Sequence, residues 1–431
     1  MKKLTALVLV VFVSCFACCA LADNVTVEVW HPRGAGANGE MIAASVAEFN
    51  ETIGAEKGIT VVETFQGGYG EVVTATMNAV AAGNSPEIVV VENSSGTPVL
   101  SGEGILADLK PLIERDAWDF DNVQAGLLTY CYEGDELIAM PYIRSTPVMY
   151  YNKTMTDALG IQIPLDGALT IEEFEDLGKK LTKKNADGTT EVYGFSLQSN
   201  TWYTQNFFYQ LGSNMYDETG EKCPALEDGA MLTVFTAWDK WVKDGWCLPF
   251  VSTNDEAYLE EQFSLGKIAC IFDSTGKMGN IFGAVEALGN QFEIGITFLP
   301  TFGEPSCPTG GGNMAIVEKN NSEAEIDAAW EFMKFLLTKD QDALNHVKTG
   351  YVPSTKAAAE AQAVKDLWAA EPFRQVGFNQ LTYAQDAPPS DYGAEWQVAF
   401  KAAISSLIQE GTITPEQAVE QLKAEAENIF Y

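Results

Sequence analysis

Between residues 25 and 92 short β-branched runs take turns with helical patterns. VTVEVW from Val25, ITVVETF from Ile59 and EIVVVE from Glu87 alternate with MIAASVAEF and VVTATMNAVAAG. Short valine-rich runs read as strands, and apolar residues three and four apart read as helices. Strand, helix, strand, helix, strand predicts a mostly parallel sheet covered on both faces, because parallel neighbours need a crossover and the crossover packs on the sheet. At 431 residues the chain has room for two domains of ordinary size.

The middle of the chain changes character. Thr170 with Glu173 is a capping box opening a helix through Lys183, and Asn185-Ala186-Asp187-Gly188 is a turn leading to a strand around Tyr193-Gly194-Phe195. Strands are expected again at Lys267 to Phe272 and Glu293 to Leu299. PTGGGNMAIV follows, where three glycines before a strand mark a backbone that bends or is closely approached. Ser322 with Glu325 caps a helix to about Leu337, and Thr414-Pro415-Glu416-Gln417 opens the last one.

Composition excludes several function classes. The 60 acidic side chains outnumber 26 basic ones for a formal charge of -34, a surface that repels nucleic acid and anionic lipid. With only His31 and His346, a histidine-based triad or an HExxH zinc helix has no local partners. GAGANG after His31 lacks the lysine and the spacing of a phosphate loop and reads as a turn between strand and helix. Paired carboxylates across a cleft, as in a glycosidase, stay open at this level, because their pairing is spatial. Residues 1–22 read as an export signal: Lys2 and Lys3, an apolar run from Leu4 to Val13, and Ala20-Leu21-Ala22 at a cleavage site. Lipidation at Cys15 is the competing reading. Beyond the leader five cysteines remain, Cys131, Cys223, Cys247, Cys270 and Cys307, enough for two disulfides at most, and Cys270 in IACIF reads as a buried small hydrophobe. No later apolar stretch is long enough to span a bilayer.

One stretch poses a functional question. MPYIRSTPVMYYNK, residues 140–153, sets an arginine and two hydroxyls directly before an apolar run. It is either a strand with a polar lead-in or a segment that crosses a cleft and offers hydrogen bonds. Elsewhere aromatic or hydroxyl residues sit beside glycine at expected strand ends: Gly67-Gly68-Tyr69, Ser274-Thr275-Gly276, Gly310-Gly311-Gly312 and Gly350-Tyr351. In open α/β sheets such ends face the ligand crevice, where rings stack on sugar faces and hydroxyls read their rims.

FQGGYGE, MPYIRSTPVMYYNK, SLGKIACIFDSTG, PTGGGNMAIV and KTGYVPSTKAA resemble, in order, blocks of the extracellular solute-binding proteins of bacterial ABC importers, particularly the glycerol-3-phosphate and carbohydrate-binding branch. The resemblance implies a periplasmic-binding-protein-like (type II) α/β fold: two lobes, a ligand cleft and a hinge of crossing segments. It puts the lobes at 23–143 plus 313–353 and at 144–312 plus 354–431, with crossings at Ile143 to Pro147, near Gly312 and after Tyr351. Carried over by motif, ligand contacts fall on Tyr69, Glu92, Ser145, Trp202, Ser274, Gly312 and Tyr351. Where glycerol-phosphate binders carry a late arginine this chain has Val398, flanked by Trp396 and Lys401, and Trp396 joins the candidates. Arg144 stands where those binders carry serine. It has three options: phosphate partner, sugar contact or structural residue paired with a carboxylate. A buried phosphate without a guanidinium is costly, so a neutral carbohydrate is placed ahead of glycerol phosphate or a glycerophosphodiester. The implied protein is a monomer without enzymatic activity or cofactor, whose partners are a small-molecule ligand and a membrane permease, not nucleic acid. A secreted glycosidase and a receptor coupled to a membrane sensor are the rivals.

Overall fold

A computed structural model describes residues 24–249, 256–390 and 392–430. The export signal and Cys15 therefore lie outside the described residues. Eight strands form two separate main sheets, β1 (Val25–His31), β2 (Ile59–Phe65), β3 (Ile88–Glu92), β4 (Met140–Ser145), β5 (Pro147–Asn152), β6 (Cys270–Ser274), β7 (Ile294–Thr297) and β8 (Gly310–Ile316). The first sheet has the order β2-β1-β3-β8-β4, and the second has β6-β5-β7.

The alternation at the start of the chain gives the parallel core of the first sheet, with β1 running parallel to both β2 and β3. IVVV in β3 is apolar at successive positions because both faces are covered. Ile88 and Val90 pack under Ile42, Phe49, Trp330 and Met333, whereas Val89 and Val91 pack with Val72 and Leu100. β8 returns from far along the sequence and inserts antiparallel between β3 and β4. In the second sheet β5 is central and antiparallel to both neighbours. Its side chains alternate, Met149 and Tyr151 into one core, Val148 and Tyr150 into the other.

The capping boxes at Thr170, Ser322 and Thr414 all form, opening helices Ile171–Leu181, Glu323–Leu336 and Pro415–Ile429. The Asn185 to Gly188 turn closes a hairpin between Lys183–Lys184 and Thr190–Val192. All five described cysteines are free and buried, so the two disulfides that the count allowed are not made. Among the described residues no helix is long and apolar enough to cross a membrane.

The first crossing is a single residue, since β4 ends at Ser145 and β5 begins at Pro147. Thr146 between them is buried and fully engaged. Its N–H donates to Thr275 Oγ1, its carbonyl accepts from Thr275 N, and its hydroxyl donates to the Gly377 carbonyl. Gly310 to Gly312 pair with Ser145 to Ile143 and thus belong to the first sheet, so the chain enters that sheet ahead of the glycines. The packing of the first lobe also runs past residue 353: Ala358, Ala361 and Val364 cluster with Ala343 of helix Lys339–Thr349, which bonds through Gln341 to Ser45 and Glu48. Lys356 to Ala370 thereby stay with the first lobe, because a run of alanines covers that helix.

Each glycine of the triplet is required for a different reason. A Cβ on Gly310 would meet the Trp202 indole at 2.6 Å, and one on Gly312 would meet Ile143 Cγ1 at 3.0 Å and Tyr69 at 3.1 Å. Gly311 has φ +87, and its Cβ would lie 2.0 Å from the Ile143 carbonyl oxygen. Backbone cannot move aside as a side chain can. Gly311→Ala should therefore destabilise the fold by about 2 kcal/mol or more, read as a lower urea midpoint; an unchanged midpoint would contradict this account of the triplet.

His346 sets a pH dependence. Its Nδ1 donates to the Tyr351 carbonyl at 2.8 Å, and its Nε2 accepts from Trp368 Nε1 at 2.9 Å. Burial, against the partly opposing bond to Tyr351, lowers its pKa from 6.5 to about 4. As pH falls through that window the unfolded chain takes up a proton that the native ring refuses. Stability is therefore full above about pH 6.5 and declines toward pH 4, by up to about 3 kcal/mol. Asp342 on the same helix opposes it, because burial raises its pKa to about 6 and the native state takes that proton first. His346→Gln removes only the first effect, so its melting temperature should approach that of the wild type on acidification from pH 7 to 4.5. A constant gap would exclude the imidazole as the cause.

Candidate functional site

The triglycine start of β8 forms a floor on which side chains from both lobes rest. Trp202, in the first turn of helix Thr201–Gln210 of the second lobe, lies against Gly310. Asn200 caps that helix, its side chain accepting from Trp202 N at 2.9 Å, which fixes the indole's starting point. Tyr69, the first residue of helix Tyr69–Ala82 in the first lobe, lies against Gly312. One ring from each lobe thus lies against the same three-residue segment. The Trp202 indole nitrogen is buried without a hydrogen-bond partner, as are the side-chain oxygens of Asn206 and Gln198 nearby in sequence. Buried donors and acceptors left open beside aromatic rings suit a polyhydroxylated ligand.

Tyr351 is buried at a contact between the lobes. Its ring presses on Gly276, where a Cβ would meet Cε1 at 2.2 Å. Asn38 of the first lobe donates to the Gly276 carbonyl at 2.9 Å, and Ala37 N donates to Asn280 Oδ1 at 3.2 Å, so the lobes touch here. Ser274 caps the short turn that follows β6 through its side chain, accepting from Gly276 N. Ser145 is buried opposite Gly310. Glu92 pairs with Gly312 in register, and its carboxylate accepts from Ser94 Oγ and from Ser95 N and Oγ. Tyr69, Gly312, Trp202, Ser145 and Glu92 are thus brought together, with Tyr351 and Ser274 adjoining.

Two candidates are elsewhere engaged. Trp396 is fully buried in the second-lobe core, its indole N–H donating to Met215 Sδ and its ring 5.4 Å from Phe430. It packs there because it lies on the inner face of helix Gly393–Ile404, whereas Val398, two positions on, is 71% exposed. Arg144 is fully buried and takes the structural option. Its Nε donates to the Gly310 carbonyl at 3.0 Å, Nη1 to the Leu127 carbonyl and Asn313 Oδ1 at 2.8 Å each, and Nη2 to Thr309 Oγ1. Thr309 Oγ1 in turn donates to Asp386 Oδ2 at 2.7 Å, while Thr309 N donates to Oδ1. The counter-charge of Arg144 is internal, and every nitrogen of its guanidinium is in use.

Sequence reasoning missed the cation that the cleft does hold. Arg33 follows β1 in WHPRG, at the carboxyl end of a parallel strand, which is the positional signal that could have found it. Its guanidinium sits 4.7 Å from the Tyr69 ring centroid and 5.6 Å from that of Tyr351. Nη2 donates to Tyr69 Oη. The backbone below it is tied down, since Arg33 N donates to His31 Nδ1 and His31 Nε2 bonds Glu63 at 2.7 Å. Burial pushes the phenol of Tyr69 up and Arg33 partly offsets it, and burial likewise raises Tyr351. Both phenols are therefore neutral at physiological pH. Tyr130, in a left-handed backbone with φ 59, is a further ring near this region, its hydroxyl donating to the Ala387 carbonyl.

Known proteins share this architecture and sequence. The family described as bacterial extracellular solute-binding protein matches residues 44–372. The sn-glycerol-3-phosphate-binding periplasmic protein of Rhizobium meliloti is 27% identical over 360 residues, covering 82% of this chain and 80% of that protein. Its counterpart in Escherichia coli O1:K1 is 24% identical over 423 residues, covering 92% and 90%. Among solved structures, UgpB from Mycobacterium tuberculosis in complex with glycerophosphocholine superposes with a TM-score of 0.78 at 20% identity, covering 94% of this chain and 98% of that one. The cyclic α-maltosyl-1,6-maltose binding protein from Arthrobacter globiformis superposes at 0.74 and 20% identity, covering 94% and 99%. Two α/β lobes around a cleft, with a family match over most of the length, give one conclusion: the chain belongs to the bacterial extracellular solute-binding proteins, the non-enzymatic ligand-capturing components of ABC importers.

Proposed function

We propose that this protein captures a carbohydrate, a sugar or oligosaccharide, over the Gly310 to Gly312 floor and delivers it to a membrane permease. The observation that carries this reading is the placing of two rings from opposite lobes on one triglycine segment, Trp202 against Gly310 and Tyr69 against Gly312, where there is no room for a side chain. A ring from each lobe lets a ligand bridge them, and a ligand that touches both lobes favours the closed arrangement by the difference in its contacts. The single-residue crossing at Thr146 is short enough to act as a hinge point between two sheets. Ser145, Ser274, Glu92 and the open polar atoms of Asn206 and Gln198 supply the rim. The solved cyclic α-maltosyl-1,6-maltose binding protein supports a saccharide.

A second reading keeps the site and changes the ligand to glycerol 3-phosphate or a glycerophosphodiester. Its support is the naming of the curated relatives and the glycerophosphocholine complex. Arg33 supplies a guanidinium beside Tyr69 and Tyr351 although the late arginine is missing, which favours an anionic ligand. In either case the protein works as a monomer outside the cytoplasmic membrane, released by cleavage near Ala22 or held by a lipid on Cys15.

A thermal-shift screen of sugars, oligosaccharides, polyols and phosphorylated polyols identifies the ligand, because binding only to the folded state raises its stability by mass action. Trp202→Ala should weaken binding of the best compound by about 1 to 3 kcal/mol with the unfolding midpoint little changed. Trp396→Ala should do the reverse, lowering stability by about 3 to 5 kcal/mol. Should Trp202→Ala melt the protein and leave affinity intact, its ring is packing and the site lies elsewhere.

A further inference from the structure

Arg33 is placed unlike any other cation described. In a chain with 60 acidic residues, its guanidinium has no carboxylate within ion-pairing distance among the described residues. Arg144, also without a direct carboxylate contact, has Asp386 one hydroxyl away. Arg33 has only two neutral phenols. Its Nε is buried with no hydrogen-bond partner, and its other bonds go to the two phenols: Nη2 donates to Tyr69, and the guanidinium also bonds Tyr351. Taking a charge out of water without a partner is costly, and leaving a buried N–H open adds to that cost. Stacking on Tyr69 and Tyr351 offsets part of it. The phenols leave Nε unbonded, and the N–H edge of a guanidinium is the part that grips a planar carboxylate or a phosphate.

We propose that Arg33 is the specificity-determining residue of this cleft and receives an anionic substituent, a phosphate or a carboxylate, carried by the polyhydroxylated ligand. This rests on the reading of the cleft as a ligand site over the Gly310 to Gly312 floor. The hydroxyl-bearing part of the ligand lies toward Trp202, and the anion lies at the Tyr69 and Tyr351 end. His31 is a positioning residue here, because its Nδ1 holds the Arg33 backbone while Glu63 holds its other nitrogen. Arginine serves where lysine would not, since only a flat cation can fill the slot between two rings.

Calorimetric titration of the exported form tests this with matched probes: glycerol 3-phosphate against glycerol, glucuronate against glucose, and glucose 6-phosphate against glucose. The expected result is that the wild type prefers at least one charged probe over its neutral counterpart by tenfold or more. Raising salt should shrink that preference, a readout that needs no variant. Arg33→Gln should reduce the charged-over-neutral ratio at least tenfold, and Arg33→Lys should restore only part of it. Phosphate probes responding alone, or glucuronate responding alone, names which anion the site takes. If the wild type binds the neutral probes as tightly as the charged ones, or Arg33→Gln leaves the ratio unchanged, the inference fails while the carbohydrate reading stands. If the wild type binds none of the probes and no saccharide in the thermal screen, the reading of the site fails and the inference with it.

Discussion

The arrangement depends on how a fully buried guanidinium is satisfied. Arg144 stands one residue before the end of β4 and ties together the Gly310 carbonyl, Thr309, Asn313 and the Leu127 carbonyl. Its bonds therefore join the crossing strand to the returning strand β8 and to the loop before β4. A buried charge is tolerated only when its donors are met, so this network accepts few alternative geometries. Because Thr309 passes the interaction on to Asp386, the late part of the chain is drawn to the same point. The Gly310 backbone is thereby held by a guanidinium whose nitrogens are all bonded inside the protein.

With the backbone pinned in that way, the glycines become intelligible. Side chains on β8 would keep Trp202 and Tyr69 apart from the strand, and a residue other than glycine at 311 would collide with the Ile143 carbonyl. Each ring reaches the strand because the glycine beneath it projects no side chain. Arg33 then completes an aromatic end of the cleft with Tyr69 and Tyr351, and among the described residues no carboxylate pairs with the charge it brings.

Much of the fold was legible locally. The valine-rich runs of β1, β2 and β3 became the parallel core, and the three capping boxes opened helices where Thr170, Ser322 and Thr414 stand, because strand and helix periodicity and caps depend on neighbours a few residues apart. The insertion of β8 between β3 and β4 was not legible. Its partners lie some 170 and 220 residues away, and register across such distances is set by packing. The antiparallel second sheet was hidden for the same reason.

For the site, the sequence by itself determined the residue types that could serve, hydroxyls and rings beside glycine at the ends of strands, and an acidic composition that turns away polyanions. Tertiary structure decided which of them face the cleft. Arg144 and Arg33 are the same letter, one directly before an apolar run and the other just after one. One is enclosed by carbonyls and a hydroxyl bridge to Asp386, and the other lies beside two neutral rings with its Nε unbonded. Likewise Trp396 and Trp202 both lie near the start of a helix, but one ring turns into the core and the other onto Gly310. What separates them is the set of atoms that long-range packing brings alongside, which no window of sequence contains.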